Sequence, residues 1–202
     1  MNRRLAIAFA ALTLQACAIP QALPEATDLQ AGAGEVVVIG KVELVPPLDA
    51  REQRSHWNAI GEKRFLERVW LATGAEHRPI DTTKLDASQF GRSLEAKWGV
   101  PFMVKVPRQR TYLNGGVLHL DVMQQERIWF PGGFYFEVPE GAPAVYVGTL
   151  RYHRNDFNVI TRVEVVNERA DVAAVLKGSP ASDVRVSLLR RVPERPILRS
   201  SN

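Results

Sequence analysis

One cysteine, Cys17, and four histidines, His56, His77, His119 and His153, are the residues best suited to nucleophilic, metal or proton-transfer chemistry. The histidines stand singly, with no second ligand at helical or alternate-strand spacing, so a metal centre is not expected. His119 and Asp121 are two apart and would share one face of a strand, where the carboxylate could orient the imidazole. The same pattern also describes a solvent-facing strand side opposite Leu118, Leu120 and Val122, and that reading is preferred. No Gly-x-Ser-x-Gly elbow, His-Glu-x-x-His pair or phosphate loop occurs. The expectation is a non-catalytic protein without metal or cofactor.

Cys17 has a clearer context. Met1-Asn2-Arg3-Arg4 precedes an uncharged apolar run from Leu5 to Leu14, interrupted only by Thr13, which is the layout of an export signal. Ten helical residues cover about 15 Å, half of a bilayer's hydrocarbon core, so the run is too short to span it. The following Leu14-Gln15-Ala16-Cys17 resembles the lipobox of bacterial lipoproteins. That resemblance implies that residues 1–16 are removed and that Cys17 carries fatty acyl chains such as palmitate. Ala18, not Asp, follows the cysteine, which in such lipoproteins implies the periplasmic face of the outer membrane.

Removal of Arg3 and Arg4 brings the formal charge from +4 to about +2, too balanced for a nucleic-acid binder. With no second cysteine there is no intramolecular disulfide, so an exported domain depends on its core. Residues 17–34, with two prolines and no apolar period, read as a lipidated cysteine and flexible tether with an r.m.s. span of about 20–25 Å. One β-rich domain is expected over residues 35–190, and a basic extended tail over 191–202.

Within the domain, EVVVIGKVELV from Glu35 reads as a strand, stopped by Pro46-Pro47. RFLERVWLAT, 64–73, suits helix or strand, and strand is favoured. VPFMVKVP and GVLHLDV form an expected hairpin about Asn114-Gly115-Gly116; a second turns at Pro131-Gly132-Gly133. Residues 142–168 alternate on both sides of His153-Arg154-Asn155-Asp156, again a hairpin. Val172, Val175 and Leu176 predict a short helix over 169–178, and RVSLL, 185–189, a last strand. Together these predict a mainly β protein: an antiparallel β-sandwich, immunoglobulin-like or transthyretin-like, with one or two short helices.

Contact residues are sought among aromatics and cations. In WFPGGFYF, Phe134 and Phe136 are assigned to the core, Trp129 and Tyr135 to partner or ligand contact. Lys105, Arg108 and Arg110 form one basic group, and Arg190, Arg191, Arg195 and Arg199 another, the last in a tail kept extended by two prolines. The expected function is a lipid-anchored envelope protein that serves as an interaction or assembly module for an envelope protein partner. The alternative is a lipoprotein that binds or senses a small ligand, lipid or glycan; an envelope hydrolase using His119 and Asp121 ranks below both.

Overall fold

The first half of Glu35–Val45 is apolar at every position and its second half alternates, and the strand it forms is buried in the same way. Val36 to Gly40 are buried on both faces, whereas beyond them only Val42 and Leu44 are. Val36 and Val38 enter the main core. Val37 and Ile39 point the other way, into a smaller cluster with Tyr146, Val172 and Leu176. Lys41 and Glu43, past the cover of that cluster, carry charge on the outer face.

A computed structural model describes residues 21–54, 64–84, 87–121, 126–176 and 180–193. Its strands are β1 (Gln21–Ala22), β2 (Glu35–Val45), β3 (Arg68–Gly74), β4 (Arg92–Lys97), β5 (Phe102–Pro107), β6 (Thr111–His119), β7 (Arg127–Phe136), β8 (Ala144–Arg154), β9 (Ile160–Val166), β10 (Val184–Val186) and β11 (Arg190–Arg191). Two short helices, α1 (Arg64–Glu67) and α2 (Ala170–Val175), accompany them. One sheet runs β1-β4-β3-β6-β7-β11, the other β10-β8-β2-β5, with β9 also paired to β8. Val69, Leu71, Phe130 and Phe134 of the first sheet share one apolar cluster with Val38, Val104, Val145 and Tyr152 of the second. This cluster encloses a cavity of only about 20 Å³, room for about one water.

The chain is mainly β, as the alternation predicts, but its sheets are mixed. β1–β4, β2–β8 and β10–β8 are parallel. Parallel neighbours need long crossovers, and the chain between β2 and β8 supplies one by building most of the other sheet. Hairpin signals in sequence report only local antiparallel pairs. The 142–168 hairpin is present as β8 and β9, α2 lies within the predicted helix, and 64–73 divides into α1 followed by β3.

Both expected glycine turns are strand interiors. Asn114-Gly115-Gly116 lies within β6 and Pro131-Gly132-Gly133 within β7. The two face each other, Gly115 opposite Pro131 and Gly116 opposite Phe130, at a register shift. A Cβ on Gly132 would fall 2.1 Å from the carbonyl carbon of Asn114, and one on Gly116 would fall 2.3 Å from the Trp70 carbonyl oxygen. These glycines are required by close backbone approach at a bulge. Gly115 and Gly133 also hold positive φ, 116° and 79°, so their conformational freedom serves the bulge and not a hairpin turn.

The terminal segments are also built into the sheets. The expected tether is docked over 21–26: Gln21 and Ala22 pair with β4, Leu23 is buried, Ala26 N–H donates to Met103 O and Lys105 N–H to Pro24 O. Those backbone bonds satisfy two exposed sheet edges, and Leu23 adds apolar burial that tether composition obscures. At the other end of the chain, residues 184–191 cross between sheets, β10 against β8 and β11 against β7, with Leu189 buried between. Thus RVSLL contributes a strand only over its first half.

Candidate interaction groove

Phe157 stands at the tip of the β8–β9 turn and is 85 % exposed. Its turn is held from below. Asn155 Oδ1 accepts the backbone N–H groups of Phe157 and Val159, both at 3.0 Å. Asn158 adopts a positive φ of 59°, which Asn tolerates better than most residues. Arg154, almost fully buried, donates to Asn158 Oδ1, to the carbonyls of Pro46 and Pro47 and to the Glu52 carboxylate. That carboxyl lies below its usual range because it accepts from Arg154. The result is an exposed apolar ring on a fixed support, with Val159 exposed beside it.

This tip forms one wall of an open groove of about 1380 Å³. The opposite wall is β7 and the loop that follows β3. Trp129, half-buried, packs on the small outer cluster of Ala72, Phe90 and Val117, and the Arg127 guanidinium lies 5.4 Å from its ring centroid, a cation–π arrangement. His77 and Tyr112 also line the groove and stack at 6.1 Å. Asn114 sets the position of the His77 loop: its side chain accepts from Arg78 N–H and donates to Glu76 O, while its carbonyl accepts from Ile80 N–H. The Gly-rich bulge thereby places the loop that completes the groove.

The structure unites some of the residues named from sequence. Trp129 and Arg191 line the same groove; the Arg191 guanidinium sits 5.0 Å from the Phe134 ring and donates to Val163 O. Tyr135 lies beside the groove, its ring 5.7 Å from Tyr112 and 5.0 Å from the Arg110 guanidinium carbon. Arg190 pairs with Tyr135 in the β11–β7 register and is exposed. Phe134 and Phe136 are core residues as assigned. Cys17, His56, Arg195 and Arg199 lie outside the described residues. Phe157, Val159, His77 and Tyr112 were not singled out as contacts, because nothing local distinguishes an exposed Phe or Tyr from one that enters the core.

Two polar arrangements lie elsewhere. His119 is held below its ordinary pKa by burial and by the Arg127 charge, against a smaller opposing effect of Asp121. Asp121 accepts the Glu126 N–H and closes the β6–β7 turn. On the outer face of the second sheet, Lys41 Nζ reaches Glu43 at 2.8 Å, Glu168 at 2.9 Å and Asp171 at 3.1 Å. Arg151 bridges Glu43 and Glu168, and Thr149 donates to Glu168 and Asp171. Burial would lower the Lys41 ammonium, but its three carboxylate partners raise it above the usual lysine range. Lys41 and Thr149 hold the Glu168 carboxyl down to about 2. The network fastens α2 and the segment before it to the sheet. Among the described residues no group of three His, Cys, Asp or Glu is arranged to hold a metal ion, and no helix is long and apolar enough to cross a membrane.

No family model, no curated protein and no solved structure matches the chain.

Proposed function

We propose that this chain is a lipid-anchored envelope protein, held by acylated Cys17 at the periplasmic face of an outer membrane, whose domain is a non-catalytic interaction module. The observation that carries the interaction reading is Phe157, an almost fully exposed phenyl ring on a turn locked by Asn155 and Arg154. An aromatic anchor carried on a turn whose backbone is already held loses less entropy on binding, and aromatic side chains dominate interface energetics. Trp129, Arg127 and Arg191 give the same groove an apolar, cation-edged surface suited to an envelope protein partner. The anchor reading rests on Arg3-Arg4, the apolar run and Leu14-Gln15-Ala16-Cys17. A two-sheet sandwich is the architecture we assign, supported by the core residues shared between sheets; we assign neither of the two named topologies.

A small-ligand reading draws on the same groove, since the cavity within the core between the sheets takes about one water. Fractionation of Cys17→Ser tests the main reading. The variant is expected to be folded and recovered in the soluble periplasmic fraction, while the native protein stays with membranes. Recovery of the variant in the membrane fraction would overturn the anchor.

A further inference from the structure

The docking of residues 21–26 limits how far the domain can stand from whatever holds Cys17. Only Ala18, Ile19 and Pro20 separate Cys17 from Gln21. Four Cα steps reach at most about 14 Å, far less than a seventeen-residue tether allows. From Gln21 the chain is bound without a break: Gln21 N–H donates to Gly91 O, Leu23 N–H to Ser93 O, Lys105 N–H to Pro24 O and Ala26 N–H to Met103 O.

The strand registers say which end of the domain this is. Gln21 lies opposite Arg92 at the start of β4, and Arg92 lies opposite Thr73 near the end of β3. Thr73 and Gly74 meet Leu113 and Tyr112 at the start of β6. The β5–β6 turn, Arg108-Gln109-Arg110, is therefore at the Gln21 end, where Arg108 also bonds Gly34 before the start of β2. β2 and β8 run parallel from this end, Val37 beside Ala144 and Val45 beside His153. The β8–β9 turn with Phe157 consequently lies at the opposite end, about 35 Å away along an eleven-residue strand.

On this basis, and resting on the anchor reading above, we propose that the end formed by Gln21, Arg92 and the Arg108–Arg110 turn sits on the lipid headgroup surface, with the Phe157 turn directed away from it and the groove running up the side of the domain between the two ends. The charge at this end is mixed. Arg92, Arg108, Arg110 and Arg190 are exposed, while Glu35 and Glu140 are acidic neighbours and Glu137 pairs with Arg110. The placement is thus set by the short covalent reach and the docked strap; Arg108 is engaged with the Ala142 and Glu35 carbonyls and Arg110 with Glu137, so the exposed Arg92 and Arg190 are the side chains offered to lipid phosphates.

The test uses the full-length mature chain carrying a fluorophore on a clickable noncanonical residue at position 109 or 156, both exposed turn positions. Lipid on Cys17 is first read by intact mass. The protein is then placed in phosphatidylethanolamine–phosphatidylglycerol vesicles that contain an acceptor headgroup. A parallel sample is coupled through Cys17 to a maleimide lipid, so orientation is read even without native acylation. Energy transfer is expected to be several-fold greater from position 109 than from 156. A flexible Gly-Ser spacer of about twelve residues between Pro20 and Gln21 is expected to remove most of that difference. Equal transfer from both positions at native length, or a difference that the spacer leaves intact, would overturn the proposed orientation. Absence of lipid mass on Cys17 with unequal transfer in the coupled sample would overturn only native anchoring.

Discussion

Gly132 on β7 lies against Asn114 on β6 so closely that a Cβ at 132 would stand 2.1 Å from the Asn114 carbonyl carbon. Asn114 in turn fixes the loop that carries His77, so one close backbone approach governs both the sheet and one wall of the groove. Gly132→Ala must separate the strands at the bulge. It is expected to destabilise the domain by about 3–5 kcal/mol. Equilibrium denaturation checks this; a loss of less than about 1 kcal/mol would show that the strands relax easily.

Lys41 answers three carboxylates at once, and its side chain is only 11 % exposed. Lys41→Met retains much of the stem but leaves Glu43, Glu168 and Asp171 facing one another with only Arg151 as cation. We expect a destabilisation of about 2–4 kcal/mol, toward the lower end because the carboxylates are partly exposed. Increased proteolysis between β9 and β10 should accompany it, since α2 loses its fastening.

Glu168 gives the pH dependence its sign. Its carboxyl is lowered in the folded state from an ordinary 4.5 to about 2, chiefly by Lys41 and Thr149. A depressed folded pKa means that its contribution is complete above about pH 4.5 and is lost as pH falls toward 2. Denaturation midpoints measured from pH 6 down to about pH 2.5 are expected to decline, and Glu168→Gln is expected to flatten the decline. An unchanged slope in that variant would locate the acid sensitivity elsewhere.

Phe157 contributes little to folding, being 85 % exposed. Phe157→Ser is therefore expected to alter stability by no more than about 0.5 kcal/mol. Partner capture is expected to fall at least tenfold, a separation of folding from function that calorimetry and crosslinking read together.

Sequence patterning reveals elements whose neighbours are local. The β8–β9 hairpin, α2 and the strand from Glu35 are visible because alternation and period depend on burial of nearby side chains. The glycine stretches mislead because Asn-Gly-Gly serves a turn and a bulge equally well, and only the partner strand decides which. Residues 21–26 look like a tether because docking through backbone hydrogen bonds leaves almost no side-chain signature beyond Leu23. Of the groove, Trp129 and Arg191 were legible from type, while Phe157 needed the turn that exposes it.

The central claim is that the Phe157 groove holds an envelope partner while Cys17 keeps the domain at the membrane. A photoreactive residue at position 159, exposed beside Phe157, would be activated in intact cells and its adducts identified by mass spectrometry. The account predicts one reproducible protein adduct, strongly reduced by Phe157→Ser and weakened by Cys17→Ser. Adducts that are absent, or that are indifferent to both substitutions, would contradict it.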